Sequence, residues 1–265
     1  MPTLSRIAVY PIKSLDPAEP VSVAVRPDGG LAHDRRYAMV DAEGEYVNGK
    51  RTPAVHRIRA EYDLEADTVR VWDAEDGGPE TGTEATLQDV TGRASLVSWL
   101  QDRIPAVADL RPADGPNLTD SSAGPGPTVI GEETLRTVAG WFDDLDTDAV
   151  RARLRPNLVV SGVPPFWEDR LVADPTHSGT IAIGDVQLEG VKPVPRCVVP
   201  TRDPKTGEPL EAFRQTFIDR RRETLPDWVD RTAFDHLYSL MVVTRIRNPK
   251  AGPRIEIGDA VSSAD

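Results

Sequence analysis

Ile181-Ala182-Ile183-Gly184-Asp185 returns later in the chain as Ile255-Glu256-Ile257-Gly258-Asp259, and this echo decides the reading of the fold. In each copy a short strand runs into a Gly-Asp turn, the corner that a closed or strongly bent sheet needs. Outward from it, residues 157–161, 186–191, 197–201 and 239–246 read as further strands, by their β-branched runs. Residues 132–142, 148–154, 214–223 and 226–237 read as helices around them. The simplest architecture is a β-barrel with peripheral helices, in a mainly β, α+β chain.

The first ninety residues also read as short strands, over 6–10, 21–25, 36–40, 55–62 and 68–72, separated by clusters such as Pro27-Asp28-Gly29-Gly30 and Asp41-Ala42-Glu43-Gly44. Thr91 is placed to cap a helix whose stripe is Leu96, Val97, Trp99, Leu100 and Ile104. From Arg111 to Pro127 four Pro and three Gly stand among polar residues, a long connection of the kind that is often functional. The expected division is therefore a β-rich module over 1–112 and a second module over 113–265.

Composition narrows the function. The chain has 265 residues, and its single Cys excludes an internal disulfide, so a reducing cytoplasm is the expected compartment. No stretch has the roughly 18–20 consecutive apolar residues of a membrane helix. Lys and Arg number 31 against 43 Asp and Glu, a net charge of -12 that repels polyanions, so neither nucleic acid nor membrane is an expected partner. Only five of the basic residues are Lys. An acidic, Lys-poor chain is expected in a halophilic, salt-rich cytoplasm, although a GC-rich genome gives the same bias.

Several common sites are absent by letter. There is no Gly-x-Gly-x-x-Gly and no Walker A, and the four His have no i, i+4 pair. What stands out is Cys197, in Lys192-Pro193-Val194-Pro195-Arg196-Cys197-Val198-Val199-Pro200-Thr201-Arg202. Prolines fix the backbone on both sides, and Lys192, Arg196 and Arg202 favour a thiolate, which is both nucleophile and soft metal ligand. A buried apolar filler is the competing reading of a lone Cys.

Four other fragments offer groups for an anion. Tyr10-Pro11-Ile12-Lys13-Ser14 presents an ammonium and a hydroxyl at a strand end. His33-Asp34-Arg35-Arg36-Tyr37 adds two guanidiniums, Asp120-Ser121-Ser122 lies in the long connection, and Arg155-Pro156-Asn157 leads stiffly into a strand. Each alone is also compatible with an ordinary solvated loop.

Together these fragments resemble the MOSC proteins, the molybdenum cofactor sulfurase C-terminal domain family, and within it the amidoxime-reducing branch with its N-terminal β-barrel domain. The resemblance rests on Tyr-Pro-Ile-Lys-Ser at 10–14, Asp-Arg-Arg-Tyr at 34–37, Arg-Pro-Asn-Leu-Val-Val-Ser-Gly at 155–162, Ile-Gly-Asp-Val at 183–186, and Arg-Cys at 196–197 followed by Asp-Pro-Lys-Thr-Gly. It implies an N-terminal β-barrel domain over 1–112 and a MOSC β-barrel domain over 113–265. It implies Cys197 as the molybdenum ligand and catalytic residue. Lys13, Ser14, Arg35, Ser121, Ser122, Arg155, Asn157 and Arg196 are the implied contacts to the molybdopterin phosphate and pterin.

The implied activity is that of a molybdenum-dependent oxidoreductase that removes oxygen from an N-hydroxylated or N-oxide small molecule with two electrons. One Cys cannot hold an iron-sulfur cluster, so a separate ferredoxin or flavoprotein donor is expected. Two alternatives stay open: a sulfur carrier or cofactor-handling protein in which Cys197 bears a persulfide or the cofactor is held without turnover, and a barrel used only to bind partners.

Overall fold

Alternating β-branched residues make the strands, and in the computed structural model, which describes residues 1–119, 124–174, 178–249 and 252–263, seven of them form one bent sheet. The first half of the chain supplies β1 (Thr3–Ile7), β2 (Ser22–Ala24), β3 (Tyr37–Val40), β4 (Ile58–Asp63), β5 (Thr68–Asp73), β6 (Thr83–Thr86), helix α1 (Val90–Gln101) and β7 (Asp109–Pro112). The second half supplies β8 (Thr128–Gly131), α2 (Glu132–Ala139), α3 (Thr147–Leu154), β9 (Leu158–Ser161), β10 (Thr180–Ile183), β11 (Val186–Pro195), α4 (Phe213–Thr224), β12 (Ser239–Ile246), β13 (Arg254–Glu256) and β14 (Val261–Ser263).

The large sheet runs β1-β9-β8-β12-β11-β10-β14, with only β8 and β9 parallel among its paired strands. Its two edges meet. Thr3 bridges Ala260, Leu4 N–H donates to the Asp259 carbonyl at 2.9 Å, and Val261 N–H donates to the Pro2 carbonyl at 2.9 Å. The sheet thus nearly closes into a barrel, which leaves little open edge. Leu4, Ile7, Val129, Leu158, Val160, Ile181, Ile183, Leu188 and Val242 fill it, joined by Val23, Val25 and Leu31 from the first half. Each fully buried side chain of this kind contributes about 1.5–3 kcal/mol of transfer free energy.

The repeated Gly-Asp corners stand side by side at this seam. Gly184 has φ 54° and Gly258 φ 95°, both in the left-handed region that glycine enters without a Cβ penalty. Gly184 N–H donates to the Ala260 carbonyl at 3.1 Å, and a Cβ on Gly184 would come within 2.9 Å of the Asp259 carboxylate.

A second core forms where β4-β5-β6, the β3–β7 pair and α1 enclose Ile12, Met39, Ile58, Val69, Val71, Leu96, Leu100 and Leu110. A third lies under α2, α3 and α4, where Phe142, Phe213, Phe217 and Tyr238 stack against Leu135, Val138, Val150 and Leu154. The chain is mostly strand with peripheral helices, as its patterning predicts.

Four local expectations are corrected. Residues 197–201 form no strand; Pro200 removes a ladder donor, and Val199–Thr201 close a 3-10 turn instead. Residues 226–237 form no helix: Asp230 accepts from Thr232 N–H at 2.8 Å and seeds a short 3-10 turn, leaving Val229, Phe234 and Tyr238 to pack individually. Residues 55–62 divide into a 3-10 turn and then β4. Helix α1 is capped by Asp89, whose carboxylate accepts from Gly92 N–H at 2.9 Å, rather than by Thr91.

Candidate functional site

After β1 the chain stays inside the molecule, with Ala8 to Lys13 all buried. Lys13 N–H donates to the Tyr37 carbonyl at 2.7 Å, and Tyr37 N–H returns to the Pro11 carbonyl at 3.0 Å. The segment is thereby laced to β3, and Lys13 is no solvated loop residue. It is 7% exposed, its Nζ 3.9 Å from the centre of the Tyr46 ring. Ser14 follows with φ 77°.

Tyr10 is the centre of this wall. The Arg155 guanidinium lies 4.1 Å from its ring centre and that of Arg35 4.9 Å away. The Tyr10 hydroxyl donates to the Pro156 carbonyl at 3.1 Å, and burial raises its pKa, opposed by both arginines. Burial lowers the pKa of Arg155, whose Nη2 donates to the Leu15 carbonyl at 2.6 Å.

Asp34 and Asn157 form a buried junction behind the cations. Asp34 accepts from Tyr10 N–H at 3.0 Å, Asn157 Nδ2 at 3.1 Å, Asn117 Nδ2 at 3.3 Å and Arg35 Nη1 at 2.5 Å. Asn157 also donates to the Ala8 carbonyl at 3.0 Å, while its Oδ1 accepts from Thr128 N–H and Oγ1, both at 3.2 Å. Both N–H donors and both acceptor positions of that amide are in use, so Asn157 acts by fixing the wall.

Cys197 lies just past the end of β11, half-buried as a free thiol. Arg196 N–H donates to the Tyr238 carbonyl at 2.8 Å and its Nη2 to the Leu154 carbonyl at 2.9 Å. Its Nε is buried without an acceptor among the described residues, and burial lowers its pKa against the pull of Cys197 and Tyr238. Arg153, 4% exposed on α3, donates to the carbonyls of Pro200 and Arg202 and so clamps the turn that follows the cysteine.

One cavity of about 920 Å³ is bounded by Lys13, Ser14, Arg35, Arg155, Asn157, Arg196 and Cys197 together. The structure brings every described residue of the predicted site into its wall; Ser121 and Ser122 lie outside the described residues. Among the described residues eleven Lys and Arg line it against six Asp and Glu, the reverse of the chain as a whole. Ser14, Arg35, Arg155 and Met241, four of the nine described non-glycine residues with positive φ, are also in this wall. Such conformations cost about 1–3 kcal/mol each and concentrate at functional sites. Among the described residues no His, Cys, Asp and Glu cluster can hold a metal ion by itself, and no helix is long and apolar enough to cross a membrane.

Sequence reasoning missed Tyr10, Asp34 and Arg153 as parts of this wall. Tyr10 and Asp34 stood inside the quoted motifs, but only the fold shows one to be a platform and the other a junction. Arg153 carried no signal, being one arginine among 26.

Two family models match the sequence: the MOSC N-terminal beta barrel domain over residues 1–110 and the MOSC domain over 128–262. The chain is 28% identical over 255 residues to mitochondrial amidoxime-reducing component 1 of Homo sapiens, covering 80% of this chain and 71% of that protein. It is 24% identical over 250 residues to mitochondrial amidoxime reducing component 2 of Bos taurus, with the same coverages. A molybdenum cofactor sulfurase of Anopheles gambiae is 26% identical over 285 residues, covering 87% of this chain but 35% of the longer protein. With both models matched in order and a cavity shared by residues of each, the chain belongs to the MOSC family, carrying the MOSC N-terminal domain ahead of the MOSC domain.

Proposed function

We propose that this protein binds the molybdenum cofactor, with Cys197 as the protein's ligand to the metal, and that it reduces N-hydroxylated or N-oxide compounds. The observation that carries the reading is the single cavity in which a half-buried thiol shares its wall with Lys13, Arg35 and Arg155. The relatives named for amidoxime reduction support the reaction class, and the match to a molybdenum cofactor sulfurase supports the cofactor. We take residue 112 as the boundary between the two domains, with the cofactor gripped from both.

The residues fit such a group. Molybdopterin carries a phosphate and a hydrogen-bonding pterin, and the cavity offers a surplus of cations and a serine hydroxyl. Lys13, Ser14 and Arg35 would hold the phosphate end. Arg155 and Arg196 would hold the pterin, and Cys197 would add a thiolate to the dithiolene sulfurs. When bound, the cofactor supplies two-electron chemistry at a metal that can accept oxygen from a substrate. The protein's own part is orientation: Asp34 and Asn157 lock Arg35 and the Tyr10 platform in place, and the 3-10 turn clamped by Arg153 fixes the thiol. Each turnover consumes two electrons and two protons and releases water. With one Cys in the chain, the electrons come from a separate redox protein, in our reading a ferredoxin or flavoprotein.

The test is metal analysis together with turnover. Purified protein is expected to hold about one Mo per chain, to lose it in Cys197→Ala, and to reduce benzamidoxime with reduced viologen. A second reading follows from the sulfurase relative: Cys197 would carry a persulfide. Cyanide-labile sulfur on a Mo-free protein would establish that reading and end the first.

A further inference from the structure

We propose that residues 201–210, which follow the cysteine turn, form a strap latched across the cavity to the first domain by Arg59, and that its release admits molecules of cofactor size to Cys197. The proposal rests on the reading of the cavity as a cofactor site and adds how that site is opened.

The strap is a hairpin by its own hydrogen bonds. Leu210 N–H donates to the Thr201 carbonyl at 2.7 Å, Asp203 N–H to the Glu208 carbonyl at 2.7 Å and Gly207 N–H to the Asp203 carbonyl at 2.9 Å, with Arg202 bridged to Pro209. The Asp203 carboxylate stiffens the tip, accepting from Lys205 N–H at 2.9 Å and Thr206 N–H at 3.0 Å. Arg202, Asp203, Pro204 and Lys205 border the cavity, whereas Lys205, Thr206, Glu208 and Pro209 are exposed. The wall is one hairpin thick here.

Its two ends are held differently. At the base, within the MOSC domain, the buried Arg153 donates to the Pro200 carbonyl at 3.2 Å and to the Arg202 carbonyl, and its Nη2 lies 3.6 Å from Asp203 Oδ2. At the tip the contact crosses to the first domain, where Arg59 Nη1 on β4 donates to the Pro204 carbonyl at 3.0 Å. Asp16 aims that guanidinium: it pairs with Nη2 and is itself fixed by accepting from Ala60 N–H at 3.0 Å. Gly207, with φ 77°, seats the tip on the 3-10 turn Pro53–Arg57. A Cβ there would come within 2.8 Å of the Pro53 carbonyl and 3.4 Å of His56 Cβ, so the seat admits only glycine. A hairpin clamped at its base by a buried arginine and at its tip by a partly exposed one opens from the tip, leaving the cysteine turn in place.

The test uses Cys197 as its own reporter, since the chain has no other Cys. The full chain, expressed without molybdate, is labelled with N-ethylmaleimide and with the bulky N-(1-pyrenyl)maleimide, two neutral reagents with one reactive group. Losing a charge-assisted hydrogen bond raises an opening equilibrium about tenfold, so Arg59→Gln is expected to react about tenfold faster with the pyrenyl reagent and within about twofold of wild type with the small one. A change in the thiol's own reactivity would move both reagents together. Gly207→Ala lifts the tip from the other side and should act in the same direction, which decides the matter if Arg59→Gln does not fold. Melting curves identify the folded variants. Equal acceleration of both reagents, or no acceleration of the pyrenyl reagent in the folded variants, would overturn the strap. On the holoprotein the same variants should lose Mo in dialysis about tenfold faster. A protein that never binds Mo ends the cofactor reading by itself, and the labelling rates then decide the strap alone.

Discussion

Arg221 and the cavity arginines are both withdrawn from solvent, yet they sit in opposite balances of charge. Arg221 is 0% exposed and its Nη2 meets Asp169 Oδ2 at 2.5 Å, with the rings of Phe166 and Phe234 over its guanidinium at 4.6 and 5.4 Å. Glu168 beside it accepts from Gly131 N–H at 3.2 Å and Thr134 Oγ1 at 2.9 Å. That cluster lies outside the large cavity; Arg221 pairs with Asp169 through Nη2, while its Nε and Nη1 and Glu168 Oε1 are buried without a hydrogen-bond partner among the described residues. Around the cavity the cations outnumber the acids. The two regions differ in balance: the internal cluster sets two acids around one cation, and the cavity wall carries more cations than acids.

Four measurements sharpen or break the contrast. Removing the partner from the internal cluster should have the largest effect: Asp169→Ala leaves Arg221 buried without its carboxylate and is expected to cost about 3–5 kcal/mol in chemical denaturation. A loss below about 1 kcal/mol would mean that water reaches the guanidinium.

Next is the pH dependence of the same cluster. Burial first, and the neighbouring Asp169 second, push the Glu168 pKa from 4.5 to about 8. The folded protein therefore keeps a proton that the unfolded chain gives up near pH 4.5. This contribution is fully present below that pH and is lost as pH rises toward 8, with a slope of up to ~1.4 kcal/mol per pH unit. Urea midpoints measured across this window should fall, and Glu168→Gln should flatten the trend.

The cavity should respond the other way. Arg155→Ala removes one cation from a surplus, so denaturation should change by about 1 kcal/mol or less, while the fraction of chains retaining Mo after dialysis drops severalfold. A large stability loss with full Mo retention would put Arg155 with Arg221 among the structural charges. The smallest effect is expected from the acidic exterior. Melting temperature should rise by several degrees from dilute buffer to multimolar KCl if the net charge of -12 reflects a salt-rich cytoplasm, and stay flat otherwise.

Much of this was legible in the letters. Strands β10 and β12 fall where their β-branched runs place them, and Gly184 and Gly258 take the turn conformations that the echoed sequence demands. The predicted cations and Cys197 do border one cavity. What stayed hidden depends on contacts between distant segments. Neither Glu168 nor Asp169 shows in its neighbours that it will be buried, because the cover comes from α4 and from residues 131–134. The helix expected over 226–237 has suitable residues, but Asp230 captures the backbone first.

The barrel seam bears on how the molecule comes to fold. Within this chain β1 is made before both of its neighbours, β9 and the strand that begins at Val261, some 150 and 250 residues later. Contacts so remote in sequence slow folding and leave hydrophobic edges waiting during synthesis. The β4-β5-β6 sheet, built from neighbouring hairpins, can assemble while the nascent chain is short, whereas the barrel that holds Cys197 can be sealed only after translation has passed residue 261.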